Sequence, residues 1–188
     1  GRPRDEEARV RIVEAAVRLA REDGLAGLTM EGIAAEAGVG KQTVYRWWSS
    51  CAEVLVEGLR RRATTEIPLP RPSRLSTELE TFLASTFAAI RRAGSARVLG
   101  SLMAEAQRND DFRRSLREWL IDGRRAALLG LFERARTRGE LASGFDPELG
   151  VDLAFGVMWY RLLIGHAPLD DALARSLAGA IARAARSR

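Results

Sequence analysis

The chain has one cysteine, Cys51, one histidine, His166, and one lysine, Lys41, in 188 residues. A single thiol closes no internal disulfide, and a reducing, cytoplasmic setting is expected. One histidine and one cysteine, far apart in sequence, supply neither a metal-ligand cluster nor a nucleophile signature. No metal or cofactor is therefore expected. Carboxylates scattered over helical faces leave a helical enzyme as a remote alternative only. Proline is scarce outside Pro68, Pro70 and Pro72, and no stretch alternates with the period of a strand. No apolar run approaches the roughly 18 residues of a membrane span. The charged opening GRPRDEE carries no signal-peptide pattern, so no membrane partner is expected. Gly38-Val39-Gly40-Lys41 hints at a phosphate-binding loop. That loop needs glycine where Ala35 stands, a hydroxyl where Gln42 stands, and a preceding strand; all three are missing.

Hydrophobic residues make up 46% of the chain, enough for a proper core. The net charge is +5 and the isoelectric point about 10.5, a mild pointer to nucleic acid. That charge is not concentrated at the N-terminus. Residues 1–63 hold 11 basic against 10 acidic side chains, and the remainder holds 19 against 15. Any nucleic-acid surface must then come from local placement.

The expected class is all-α. A first helix should begin after Asp5-Glu6-Glu7, where carboxylates suit the positive end of the helix dipole, and stop at Gly24. Thr29 is a good N-cap for a helix over residues 30–37, and a third helix should span 41–48. Ser50-Cys51-Ala52-Glu53 has the form of a capping box opening a fourth. Beyond the proline linker the spacing predicts longer helices. One carries Leu79, Phe82, Leu83, Phe87 and Ile90; the next carries Val98, Leu102 and Ala106. Asn109 or Asp110 caps a long segment that Gly123 is expected to bend. Asp146-Pro147 opens another helix, and the last should run from Asp170 to about Arg186.

Residues 29–48 have the spacing of a helix-turn-helix. Two helices crossing steeply need a small residue at the contact, Ala34, and a residue free to take positive φ, Gly38. Ile33, Ala37, Val39 and Val44 fall on the inner faces. Lys41, Gln42, Thr43, Tyr45 and Arg46 then project outward, the types of side chain that reach base edges and phosphates in a major groove.

Residues 9–59 resemble the DNA-binding domain of the TetR (tetracycline-repressor) family of bacterial regulators. The resemblance rests on Ala15-Ala16, Gly24, Leu28-Thr29, Ile33-Ala34, Ala37-Gly38-Val39, Lys41 and Val44-Tyr45. LMAEAQRNDDFRR and YRLLIGHAPLDD are similar to the regulatory domain of one TetR subgroup. The resemblance implies an N-terminal three-helix DNA-binding domain and a larger C-terminal helical domain for ligand binding and dimerisation. The boundaries expected are 1–50 for the first, a connecting helix over 51–66, a linker over 67–74, and 75–188 for the second. It further implies a homodimer on a palindromic operator, usually a repressor released by a small effector. The alternative is a ligand-independent activator or structural DNA-binding protein. By position, Thr29 would contact a phosphate; Lys41, Gln42 and Thr43 would open the recognition helix; Tyr45 and Arg46 would bind phosphate or adjacent bases. Trp48 matches a buried position, and Trp47 fits either core or DNA. Arg2 and Arg4 resemble the basic arm of family members. Cys51 departs from the Lys or Arg common there. The departure reads as a tolerated substitution that gives up one cation able to pair with a phosphate; a redox switch is the alternative, since a thiol at a helix N-terminus can have a lowered pKa.

The last two helices are the dimer candidates, with Leu173, Leu177, Ala180, Ile181 and Ala184 on one and Ala154, Phe155, Met158 and Leu162 on the other. Phe82, Thr86, Phe87, Leu102, Met103, Ala106, Phe112, Trp119, Met158, Trp159 and Arg161 are the side chains expected around a mostly apolar effector of unknown identity. His166 is expected to stabilise the turn before Pro168.

Overall fold

A computed structural model describes residues 2–66, 69–92 and 95–186, with side chains from residue 5 and excluding those of 63–66. Every regular element among them is helical. In order these are α1 (Arg2–Asp23), α2 (Met30–Ala37), α3 (Lys41–Tyr45), α4 (Cys51–Glu66), α5 (Leu75–Arg91), α6 (Ser95–Arg108) and α7 (Asp110–Leu116). A π-helical stretch (Arg117–Ile121) follows, then α8 (Asp122–Thr137), α9 (Pro147–Ile164) and α10 (Asp171–Ala185).

Most helix ends follow from adjacent residues. Asn109 Oδ1 accepts from the Phe112 amide at 3.0 Å, which selects Asn109 over Asp110 as the cap. Asp146 accepts from Glu148 at 2.9 Å ahead of Pro147, and Asp170 accepts from Leu173 at 2.8 Å. Four expectations need correction. Helix α1 begins at Arg2 rather than after Glu7, because Pro3 in a first turn forfeits no intrahelical bond. Regular helix in α3 stops at Tyr45; the Trp47 and Trp48 amides both turn back to the Val44 carbonyl. The box at α4 is displaced by one residue: the Glu53 amide donates to Ser50 Oγ, but the Glu53 carboxylate accepts from the Ser49 amide and hydroxyl, each at 2.8 Å. The irregularity expected at Gly123 falls at residues 117–121 instead.

The chain forms two compact units, Gly1–Thr64 with Ala93–Ile121, and Thr65–Arg92 with Asp122–Arg188. In the first, Ile12, Ala16, Ile33, Val44, Trp48, Val54 and Leu55 join Val98, Leu102 and Phe112 in one apolar core. Helices α1 and α4 approach closely at Gly58, where an added Cβ would stand 2.7 Å from the Val13 carbonyl oxygen and 2.6 Å from Val17 Cγ2.

In the second unit Phe82, Leu83, Phe87, Leu128, Phe132, Val151, Ala154 and Ile181 are buried. Arg74 gives α5 no capping side chain, and two carboxylates do that work, Glu78 from the helix's own first turn and Glu140 from afar. Glu140 accepts from the Leu75 amide at 2.8 Å. Glu78, fully buried, accepts from the Ser73 amide at 2.7 Å and from Arg134 and Arg138 at 2.7 and 3.0 Å.

Helix α9 is apolar nearly all round, so its periodicity does not mark the face turned inward. Ala154 and Met158 are buried, whereas Leu149, Leu153, Tyr160, Leu163 and Ile164 are exposed. On α10, Ile181 is buried, Leu173 and Leu177 are half-buried, and Ala180 and Ala184 are exposed. The stripe drawn from spacing therefore mixes core positions with surface ones. His166 does not hold the turn before Pro168. Arg161 Nη1 does so, donating to the Pro168 carbonyl at 2.9 Å, while the exposed His166 ring lies 4.7 Å from that of Tyr160.

Candidate functional site

Thr29 caps α2 through its hydroxyl, which accepts from the Gly32 amide at 3.0 Å. That bond occupies an acceptor lone pair and leaves the exposed hydroxyl free to donate. Gly38 ends the helix at φ 66°, a left-handed conformation that glycine adopts without steric cost. The Gly38 and Val39 amides return to the carbonyls of Ala35 and Ala34 at 3.1 and 3.0 Å. The chain thereby reverses sharply into α3. Val44 is fully buried, and the same short helix turns Lys41, Gln42, Tyr45 and Arg46 to solvent, with Thr43 half-buried.

Around α3 the contacts fix direction. Trp48 Nε1 donates to Glu57 Oε2 at 3.0 Å, and Arg9 closes a two-pronged ion pair on the same carboxylate at 2.8 and 2.9 Å. Glu57 thus ties the segment that follows α3 to α4 and α1. Arg11 Nε donates to the Ala37 carbonyl at 3.3 Å, and Arg18 pairs with Glu36 at 2.8 Å. Trp47 is half-buried, edge-on to Trp48 at 5.5 Å, and carries the Arg46 guanidinium over its ring at 4.7 Å. Arg46 also pairs with exposed Asp5 at 3.2 Å, a contact that solvent screens and a phosphate can replace. Partial desolvation and the Glu31 carboxylate push the Tyr45 hydroxyl up, so it stays a hydrogen-bond donor at neutral pH. The Arg2 and Arg4 side chains lie outside the described residues.

Cys51 is half-buried at the start of α4. Burial pushes its thiol up, a backbone bond works the other way, and Glu31 adds to the rise. The lowered pKa imagined for a helix N-terminus does not occur.

The side chains assigned to an effector are divided between the two units. Leu102, Ala106 and Phe112 are buried, with Met103 and Trp119 packed beside them, in the core of the first unit. Phe82, Phe87 and Met158 are buried in the second, where Arg161 is engaged by the Pro168 carbonyl. One side chain in that unit escaped the sequence. Arg124 lies over the Phe82 ring, 4.3 Å from its centroid, and donates to Thr86 Oγ1 at 2.8 Å. Nothing in Gly123-Arg124-Arg125 separates it from its neighbour, which bridges Asp152 and Glu148 at 2.6 Å each. Glu57 was equally silent, an acidic residue on an amphipathic helix.

A family model described as bacterial regulatory proteins, tetR family, matches residues 12–57. A second, tetracyclin repressor-like, C-terminal domain, matches residues 69–181. The chain is 32% identical over 177 residues to the uncharacterized HTH-type transcriptional regulator YdeS of Bacillus subtilis (strain 168), covering 94% of this chain and 89% of that protein. It is 30% identical to the uncharacterized HTH-type transcriptional regulator Rv1556 of Mycobacterium tuberculosis, over 84% and 77% of the two. The crystal structure of the TetR family transcription regulator SCO0332 is similar at a TM-score of 0.84 and 27% identity, covering 96% of this chain and all of that one. Each of these relatives is named as a transcriptional regulator.

Proposed function

The chain belongs to the tetR family of bacterial transcriptional regulators, and on that premise we propose that it is a homodimeric repressor of a palindromic operator, released by a small effector. One observation carries the DNA contact: α3 buries Val44 and exposes Lys41, Gln42, Tyr45 and Arg46 beside the Gly38 turn. Lys41 and Arg46 supply cations for phosphates, and Gln42 supplies the donor–acceptor pair that matches adenine in a major groove. Thr29 and Thr43 add hydroxyl donors at either side of the turn.

The dimer reading is supported by the apolar surface of α9. Leu149, Leu153, Tyr160, Leu163 and Ile164 recur at helical spacing on solvent, and a second copy related by a two-fold axis would bury them. That symmetry matches a palindrome. In this reading a mostly apolar effector binds among the second unit's helices, supported by the apolar side chains Phe82, Phe87 and Met158 gathered there. Selection of genomic fragments by the intact protein, followed by titration of the recovered duplex, tests this reading. Sequence-selective binding that a metabolite pool releases supports a repressor with an effector. Selective binding that no metabolite disturbs supports the ligand-independent alternative, and the absence of selectivity overturns both.

A further inference from the structure

Several arginines of the second unit are answered by carboxylates. Arg134 and Arg138 meet Glu78, and Arg125 bridges Asp152 and Glu148. Arg124 is different. Its guanidinium carbon lies over the Phe82 ring, 4.3 Å from the centroid, and Phe82 is backed edge-on by Phe155 at 6.3 Å. Among the described residues its one hydrogen-bond partner is the buried Thr86 hydroxyl. That hydroxyl spends its own proton on the Phe82 carbonyl at 2.8 Å, so it presents a lone pair to Arg124 and holds the fork in place. Arg124 as a whole is half-buried, and its Nε, like that of Arg134, is buried and finds no partner among the described residues. No carboxylate among the described residues offsets the loss of water around this cation; burial lowers its pKa to about 10.

Desolvating a charge without a counter-ion is costly, and buried arginines are as a rule paired. A cation held in place by a hydroxyl and a ring, with donors left over, is organised for an anion that is not part of the chain. We propose that Arg124, positioned by Thr86 and Phe82, binds the anionic head of the effector, so that the ligand is an organic anion with an apolar body. The guanidinium fork suits a carboxylate or a phosphate monoester, the chemistry the two share. The assignment rests on the second unit being the effector domain.

Calorimetric titration of the full chain with decanoate, decyl phosphate and the neutral methyl decanoate tests it. The anions should bind roughly 10- to 100-fold more tightly than the ester, the range expected for hydrogen bonds to a charged group. Preference for decanoate alone or decyl phosphate alone supports the site and identifies its head group. Arg124→Met should abolish the preference while leaving ester binding in place, and Thr86→Val should reduce it. Should Arg124→Met not fold, Thr86→Val carries the test. Equal binding of anions and ester, binding of none at millimolar concentration, or a preference surviving both substitutions overturns the proposal. Operator titrations separate this from the broader reading. Release of DNA by a neutral apolar compound, independent of Arg124, leaves the effector response standing and removes the anion site. Anion binding that depends on Arg124 but leaves operator affinity unchanged does the reverse.

Discussion

Glu57 accepts from Trp48 and Arg9 at once, and each partner loses differently when it is removed. Arg9 is 42% exposed and returns to water, so its share is small. Trp48 Nε1 has no such recourse, because the residue is buried. Glu57→Ala should cost about 1–3 kcal/mol in urea unfolding, the penalty for a buried donor left unmade, and should weaken operator binding by loosening α3. Glu57→Gln keeps an acceptor for the indole and should cost less. Gly58→Ala, one residue on, drives a methyl into the Val13 backbone carbonyl. A loss of about 1–3 kcal/mol is expected, as for other overpacked cores, and unchanged stability would contradict the close approach of α1 and α4. Cys51 should behave as a poor nucleophile. Its raised pKa keeps the thiolate scarce at neutral pH, so alkylation should run slower than for a free cysteine and accelerate only above the ordinary thiol range.

Helix ends divide into those settled by neighbours and those settled from afar, and the division explains what the sequence made visible. Thr29, Gly38, Asn109, Asp146 and Asp170 act within a few residues of the ends they cap, so residue type and spacing located them. The start of α5 depends on Glu140, 65 residues away, and no local pattern records that. The outward face of α3 was legible because one buried valine, Val44, fixes which side turns out. The exposed face of α9 was not, because a helix apolar all round offers no contrast. Arg124 was invisible because burial, not residue type, distinguishes it from Arg125. The α5 contact makes a pH prediction. Burial alone would raise the Glu140 carboxyl, but the Leu75 amide, Arg138 and Arg74 bring it below its ordinary value of 4.5. The unfolded chain then takes up the proton first. Stability from this group is present above the unfolded value and falls as pH drops through the folded one. Glu140→Gln should flatten acid unfolding below pH 4.5, as followed by circular dichroism. On α3 itself, Lys41→Ala should weaken operator binding on every sequence and reduce the salt slope by about one counterion.

At the scale of the whole molecule, DNA reading and self-association are one proposal, since a palindrome is met by two copies of α3 related by the axis that pairs the subunits. Leu153→Arg places a charge amid the exposed apolar face of α9 and should shift sedimentation toward the monomer, with operator affinity falling in step. A variant that sediments as the parent would move the interface elsewhere. The account stands most directly on one measurement, fluorescence anisotropy of the full chain on duplex recovered by genomic selection, across a series of salt concentrations. It predicts saturation at two protomers per site, a large preference over unrelated duplex, affinity that falls as salt rises, and a shallower fall for Lys41→Ala. Equal affinity for unrelated duplex, or a salt dependence identical in Lys41→Ala, would contradict it.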